Sequence, residues 1–243
     1  MNHNVPIGFE TAALADEALV IADTYQLQLD QVTLPRLQLT RQGLTLLMKG
    51  FSPLMVDFDA ELKAHKIDKH HSLIRACKPK PGMNILDVTA GWGRDAALLA
   101  YCGAHVTLIE RQAIMAALLA DGLGRLQSQH LHLSLVYQDA LSYLDTLVAE
   151  EHPDLIYIDP MHPERQKSAL VKKDMQALQQ LFGPDEDASA LIRLAIKKAK
   201  KKVVVKWPQR LAPLITPQDS MPGKSVRFDI YFSTPSLSKD NLL

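Results

Sequence analysis

Hydrophobic residues follow one pattern before about residue 65 and another after it. Leucines alternate with polar residues over 37–46, on either side of Gly43, which predicts a β-hairpin with a glycine-containing turn. The period of two returns over 54–58, and a helical stretch is predicted over 59–76. These patterns predict a small β-containing N-terminal module, which we assign to residues 1–65.

From Met83 onward, short apolar runs of strand type alternate with helical segments. Because strands separated by helices of this length form right-handed βαβ units, residues 66–243 are predicted to be one α/β domain with a mostly parallel sheet. No helix precedes the last run, so we expect it to be an antiparallel edge strand. The predicted strands lie at 83–88, 105–109, 131–136, 155–158, 203–205 and 226–232, and the helices at 93–101, 113–123, 141–150 and 187–200.

Composition narrows the class of protein but not its function. The chain has 243 residues, 47% of them apolar, which is enough for one large domain and a small module. Its formal net charge of zero gives no general reason to expect nucleic acid, so any basic surface must be local. Cys77 and Cys102 form no CxxC pair, no metal-ligand spacing is present, and no apolar run approaches the ~20 residues of a membrane span. We expect a cytoplasmic protein without metal or membrane.

The strongest local signal covers residues 85–95, where an apolar strand ends in Asp87 and a turn containing Gly91 and Gly93 opens a helix. Glycine permits positive φ and a close approach of the backbone to a ligand. The spacing also matches a dinucleotide-binding turn, so the glycines alone do not choose between adenosine-containing cofactors. A plain strand-to-helix turn remains the alternative.

Acidic residues follow the next two predicted strands. Glu110 ends the second strand, where a carboxylate accepts both hydroxyls of a ribose. Asp139 and Ala140 follow the third strand, where an acid can accept a hydrogen bond from an adenine amino group. Both placements suit NAD and S-adenosylmethionine equally, and a surface acid or a helix N-cap would explain either one without a ligand.

The fourth predicted strand runs into Asp159-Pro160-Met161-His162. An acid followed by proline at this point is the arrangement used by amino-group methyltransferases. The carboxylate and nearby carbonyls accept hydrogen bonds from a substrate amine and orient its lone pair, and proline stiffens the loop. A proline-rich exit loop is the alternative explanation.

Basic residues follow that loop. We predict that Lys167, Lys172, Lys173 and, after the fifth strand, Lys206 contact RNA phosphates. The lysines within 197–202 are explained equally well by the preference of cations for helix C-termini.

Five segments, taken in order, resemble the ribosomal RNA small subunit methyltransferase J family: LDVTAGWGRDA, IER, DLIYIDPMHPERQKSALVKKDMQ, VVVKWP and RFDIY. The resemblance implies a class I, Rossmann-like methyltransferase fold with S-adenosylmethionine as cofactor. It implies methylation of N2 of a guanine near the 3′ end of 16S rRNA, with the RNA or the 30S subunit as partner. It implies cofactor contacts at Arg94, Asp95, Glu110, Arg111, Asp139, Ala140 and Asp159.

The chain departs from the family pattern at two places. Two serines are common in the family where Asp139-Ala140 stand, and an aromatic residue is common at His162. Three alternatives stay open at this point: amino-group methylation of another nucleic acid or of protein glutamine, a nicotinamide-dependent oxidoreductase, and a non-catalytic RNA-binding factor. The oligomeric state is also open.

Overall fold

The computed structural model describes residues 5–64, 70–128, 130–162 and 173–233. The strands are β1 (Ile7–Phe9), β2 (Arg36–Thr40), β3 (Gly43–Leu47), β4 (Asn84–Asp87), β5 (His105–Glu110), β6 (His132–Tyr137), β7 (Leu155–Ile158), β8 (Lys202–Pro208), β9 (Asp219–Met221) and β10 (Val226–Phe232). The helices are α1 (Ala15–Tyr25), α2 (Phe58–Ala64), α3 (Ser72–Cys77), α4 (Arg94–Tyr101), α5 (Ala113–Gly124), α6 (Ala140–Thr146), α7 (Lys173–Phe182) and α8 (Ala188–Lys198).

The larger sheet has the strand order β6-β5-β4-β7-β8-β10-β9. Its first five strands are parallel, and β10 runs antiparallel to both β8 and β9. All four residues of β7 are buried, as expected for a central parallel strand covered by helices on both faces. The predicted α/β fold with its mostly parallel sheet is therefore confirmed.

The end of this sheet differs from the prediction in one respect. The strand at 226–232 is antiparallel, as expected, but it is not the edge, because the short strand β9 pairs with its outer side. Only three residues form β9, and they carry no apolar alternation that would reveal a strand.

The N-terminal part forms a three-stranded sheet of order β1-β2-β3. The predicted hairpin is confirmed, with Leu37 opposite Leu46 and Leu39 opposite Leu44. The alternation over 54–58 does not form a strand beyond a single bridge from Leu54 to Leu46. The reason is local, since the Asp57 carboxylate accepts the N–H of Ala60 at 2.9 Å and so starts α2.

The helix expected over 59–76 is two helices, α2 and α3. His71 lies between them with non-helical backbone, and Lys78 in the left-handed region ends α3. The N-terminal sheet packs on α5 through β3. The segment after the sheet also packs there, where a Cβ at Gly122 would lie 2.6 Å from Cγ1 of Val56. The two sheets therefore share a continuous core, and the domain boundary at residue 65 stays a prediction.

Three lysines between the end of α8 and the start of β8 lie at the end of the sheet opposite to the carboxyl ends of the parallel strands. Lys198 donates to the carbonyl of Leu147 at 2.8 Å, Lys200 to that of Glu150 at 3.1 Å, and Lys202 to that of Ala76 at 2.5 Å. These bonds support the structural interpretation of the lysines in 197–202. In the described part of the chain, no helix combines the length and apolar character that crossing a membrane requires.

Candidate active site

The carboxyl ends of β4, β5 and β7 border one cavity of about 420 Å³. The strand order reverses between β4 and β7, and open parallel sheets bind ligands at such a point. Most residues predicted to form the site line this cavity: Asp87, Gly91, Arg94, Asp95, Glu110, Arg111, Ala140, Asp159, Pro160 and Met161.

The turn after β4 is shaped by two glycines in the left-handed region, Gly91 with φ of 51° and Gly93 with φ of 71°. Gly93 begins α4, and a Cβ there would lie 2.8 Å from the Phe58 ring and 2.9 Å from Leu119. Gly93 is therefore required both by its φ and by the packing of α2 and α5 behind the turn. At Gly91 only the positive φ requires glycine, since an added Cβ would make ordinary van der Waals contacts.

Glu110 fixes this turn to the end of β5. One carboxylate oxygen accepts the N–H of Gly91 at 3.0 Å, and the other accepts the N–H of Gln112 at 2.7 Å. The carboxylate is buried and lines the cavity. Each oxygen has a second lone pair, so the group can accept further hydrogen bonds from a ligand.

Acidic side chains outnumber basic ones on the cavity wall. Burial raises the pKa of Asp87 to about 8, with repulsion from Asp95 adding to the effect. Burial likewise raises the pKa of Glu110 to about 7, against the lowering effect of its two backbone hydrogen bonds. Carboxyl pKa values raised in this way at one cavity mark it as a candidate functional site.

Four side chains form a partly buried ion cluster, which we define as Asp95, Tyr157, Asp159 and Lys206. The Lys206 ammonium lies 2.9 Å from Asp95 Oδ2 and 2.8 Å from Asp159 Oδ2. The Tyr157 hydroxyl donates to Asp95 Oδ2 at 2.5 Å. The prediction that Lys206 contacts RNA phosphate is not supported by this placement, because its charge is already balanced by two carboxylates.

The loop after β7 is held at two points. The N–H of Asp159 donates to Thr89 Oγ1 at 2.6 Å, which ties the loop to the turn after β4. Met161 donates its N–H to Asp185 Oδ2 at 2.7 Å and accepts the N–H of Asp185 at 2.8 Å. His162 meets the Trp207 ring edge-on, with the ring centroids 6.3 Å apart.

Arg111, after β5, forms ion pairs with Asp185 and with Asp187, the latter at 2.5 Å. Asp139 lies 3.9 Å from Arg111 and caps α6 by accepting the N–H of Ser142 at 2.9 Å. The structure thus gives Asp139 a helix-capping role, while the adjacent Ala140 lines the cavity. The predicted contact of Asp139 with the adenine amino group stays a prediction.

Arg94 pairs with Glu61 of α2 at 3.0 Å at the cavity wall. Of the predicted RNA contacts, Lys167 and Lys172 lie outside the described residues, and Lys173 is described only as the first residue of α7. The cofactor roles of the remaining residues are consistent with their position at the cavity but are not tested by it.

Sequence reasoning missed Tyr157 and Asp185. A tyrosine inside a fully buried strand needs a partner for its hydroxyl, and that signal could have identified Tyr157. Asp185 belongs to the segment before α8, and nothing in the local pattern distinguishes it from a surface acid.

Comparisons with known proteins agree with this geometry. A family model described as "Putative SAM-dependent methyltransferase" matches residues 20–233. A relative from Legionella pneumophila (strain Philadelphia 1), named Ribosomal RNA small subunit methyltransferase J, is 51% identical over 96% of this chain and 98% of its own. A relative of the same name from Coxiella burnetii (strain RSA 331) is 41% identical over 97% of this chain and 100% of its own.

A solved structure, that of a SAM-dependent methyltransferase from Neisseria gonorrhoeae, superposes with a TM-score of 0.72. Its sequence is 26% identical, and the match covers 96% of this chain and 97% of that one. The fold, the cavity at the strand ends and these sequence identities agree with one another. The chain therefore belongs to the ribosomal RNA small subunit methyltransferase J family of S-adenosylmethionine-dependent methyltransferases.

Proposed function

We propose that the protein transfers a methyl group from S-adenosylmethionine to the exocyclic N2 of a guanine near the 3′ end of 16S ribosomal RNA. The names of the relatives support a small-subunit ribosomal RNA substrate. One structural observation carries the reaction type: the Asp159-Pro160-Met161 loop lines the same cavity as Gly91 and Glu110. A cytoplasmic location follows from this proposal.

The cavity suits the cofactor in charge and in shape. Seven acidic side chains but only three Lys or Arg side chains line it among the described residues, which favours a ligand carrying a sulfonium cation. Glu110 has lone pairs for the ribose hydroxyls, and Gly91 exposes backbone without a side chain. Ile109, Met115 and Leu141 supply apolar wall near the ends of β5 and β6, where an adenine would pack.

The bound cofactor supplies an activated methyl group on a good leaving group. The chain's own contribution is to position the amine and to stabilise the positive charge that develops on its nitrogen as the N–C bond forms and the S–C bond breaks. Lys206 binds Asp159 Oδ2, and Asp159 Oδ1 makes no hydrogen bond within the described residues. We assign Oδ1 to the substrate amine, where it accepts one N–H and so raises the availability of the nitrogen lone pair. As the N–C bond forms and the S–C bond breaks, the nitrogen gives this proton to Asp159 Oδ1, and the carboxyl then releases it to water.

The target base has to leave its stack for its amine to reach this loop. Pro160 and Met161 give the cavity rim an apolar face, and His162 lies beside Trp207 with a ring that can stack on a purine. Lys167, Lys172 and Lys173 follow directly in the chain, and we propose that they bind the phosphates flanking the target.

The experiment uses purified protein, tritiated S-adenosylmethionine, and 30S subunits or 16S rRNA from a strain that lacks the corresponding gene. We expect label in the RNA of these particles and none in particles from the parent strain, whose target is already modified. Asp159→Asn, which keeps the size of the side chain but removes its charge, should bind the cofactor and transfer no methyl. Folded, cofactor-binding protein that labels neither 30S subunits nor 16S rRNA would refute the proposal.

Two further measurements separate the alternatives. Mass spectrometry of digested substrates distinguishes N2-methylguanosine from methyladenine in DNA and from methylated glutamine in protein. Calorimetry with NADH tests the oxidoreductase alternative, which family membership and the acidic, proline-containing loop both disfavour.

A further inference from the structure

Lys206 is the unexpected member of the partly buried ion cluster. It comes from β8, whereas Asp95 belongs to the first turn of α4 and Asp159 follows β7. The Lys206 ammonium therefore links β8 to α4 and to the loop after β7, since it lies within 2.9 Å of a carboxylate oxygen of each acid. The Lys206 side chain is partly buried, and pairing with the two acids offsets the loss of hydration of its ammonium.

The cluster is unbalanced, since two carboxylates share one ammonium. Tyr157 donates to the same oxygen of Asp95 that Lys206 binds, and so helps to hold that acid in its charged form. Lys206 contacts Asp159 through Oδ2 only. The other oxygen is the one assigned above to the substrate amine.

We propose that Lys206 is a positioning residue for Asp159, holding its carboxylate in place and in the charged form, while Asp95 competes for the same ammonium and limits that effect. This inference rests on the proposed function for its catalytic meaning, but its electrostatic part concerns this chain alone. No methyl acceptor is needed to test that part.

Several charged or titratable groups face Asp159 from the elements around it. Burial raises the pKa of Asp159, Lys206 opposes this rise, and Asp95 adds to it. For Lys206, burial lowers the pKa but the two carboxylates outweigh it, so the ammonium stays charged. The remaining groups are His162 on the same loop, Asp87 at the end of β4 and Tyr157 on β7.

The direct test is the titration of the Asp159 carboxyl by carbon NMR in the cofactor-free protein, with the signal assigned by its loss in Asp159→Asn. Lys206→Met should move the midpoint to higher pH by about one to three units, the range that one adjacent charge produces. Asp95→Asn should move the Asp159 midpoint to lower pH, because the Lys206 ammonium then pairs with the Asp159 carboxylate alone. General damage to the fold would not shift the midpoint in opposite directions in the two variants.

Two further variants make the comparison specific. Lys206→Arg keeps the positive charge and should hold the midpoint near that of the wild type. Lys202→Met is the matched control, since Lys202 lies at the opposite end of the same strand and donates to the Ala76 carbonyl; it should leave the Asp159 titration unchanged. A midpoint that does not move in Lys206→Met, or that moves upward in Asp95→Asn, would overturn the inference. Should Lys206→Met fail to fold, Asp95→Asn and Lys206→Arg still decide it.

The catalytic part is tested by the pH dependence of methyl transfer at saturating cofactor. The acidic limb of the kcat profile should follow the NMR midpoints, moving up in Lys206→Met and down in Asp95→Asn. If the wild-type protein methylates no ribosomal RNA, the proposed function is wrong. The electrostatic role of Lys206 is then tested by the NMR titration alone. If methyl transfer occurs but its acidic limb is the same in all variants, the positioning role is wrong while the proposed function stands.

Discussion

Gly93 lies where the turn after β4 packs against Phe58 of the N-terminal module, and its replacement by alanine tests that packing. Its φ is 71°, and an added Cβ would lie 2.8 Å from the Phe58 ring and 2.9 Å from Leu119. The left-handed backbone costs a non-glycine residue about 1–2 kcal/mol. Overpacking against two buried side chains costs about 1–3 kcal/mol more. We therefore expect Gly93→Ala to lower the free energy of unfolding by about 2–5 kcal/mol.

Gly82→Ala is the matched control, because Gly82 has φ of 73° and a Cβ there would meet nothing within 4 Å. It should lose only the backbone part, about 1–2 kcal/mol. The assay is equilibrium unfolding in urea for both variants, with an unchanged denaturant slope as the sign that only the native state is affected. Equal losses in the two variants would refute the packing of Phe58 and Leu119 behind the turn.

Three further predictions follow from buried charges. Glu110→Gln should weaken S-adenosylmethionine binding by about 1.5–3 kcal/mol, roughly 10- to 150-fold in Kd, through the loss of a charged acceptor, and an unchanged Kd by calorimetry would argue against the ribose contact. Burial raises the pKa of Asp87 to about 8 and that of Glu110 to about 7, so the stabilisation from these two carboxyls is complete below their ordinary pKa and is lost as the pH rises to the raised values; the cofactor-free protein should therefore lose stability between about pH 5 and about pH 8. Urea unfolding at about pH 5 and about pH 8 checks this, and equal or greater stability at the higher pH would contradict it. Arg227→Met leaves the buried carboxylate of Asp229 without its charged partner at 2.8 Å and with the Ser220 hydroxyl still donating to it, and should cost about 3–5 kcal/mol of stability, part of which Asp229→Asn restores in the double variant. A loss below about 1 kcal/mol in thermal or urea unfolding would show that this pair is not as buried as described.

The parallel sheet could be predicted from sequence because its strands β4 to β7 are apolar runs followed in the chain by helices, and because burial on both faces leaves a continuous apolar signal, as in Leu155–Ile158. The misses have physical reasons. The alternation over 54–58 resembles a strand, but Asp57 starts a helix within it. β1 and β9 have three residues each and depend on neighbouring strands for their existence. α1 exposes Leu19 and Val20, so it shows no clean apolar face.

Some residues of the candidate site could likewise be predicted from sequence, and others could not. Acids at the ends of strands could be placed together from sequence, because parallel topology brings the carboxyl ends to one edge. Glu110 and Asp159 were found by that reasoning and line one cavity. Lys206 was assigned to RNA because a lysine after a strand looks exposed in sequence, while its two partners come from distant segments. The tie between Met161 and Asp185 was invisible for the same reason.

The most direct test of the account is a crystal structure of the protein with bound S-adenosylmethionine. We predict that Glu110 contacts the ribose hydroxyls and that the sulfonium methyl points toward Asp159, leaving room for an amine nitrogen about 3–3.5 Å from the methyl carbon. A methyl group directed away from Asp159, for example toward Arg94 and Glu61, or a ribose held elsewhere than at Glu110, would contradict it.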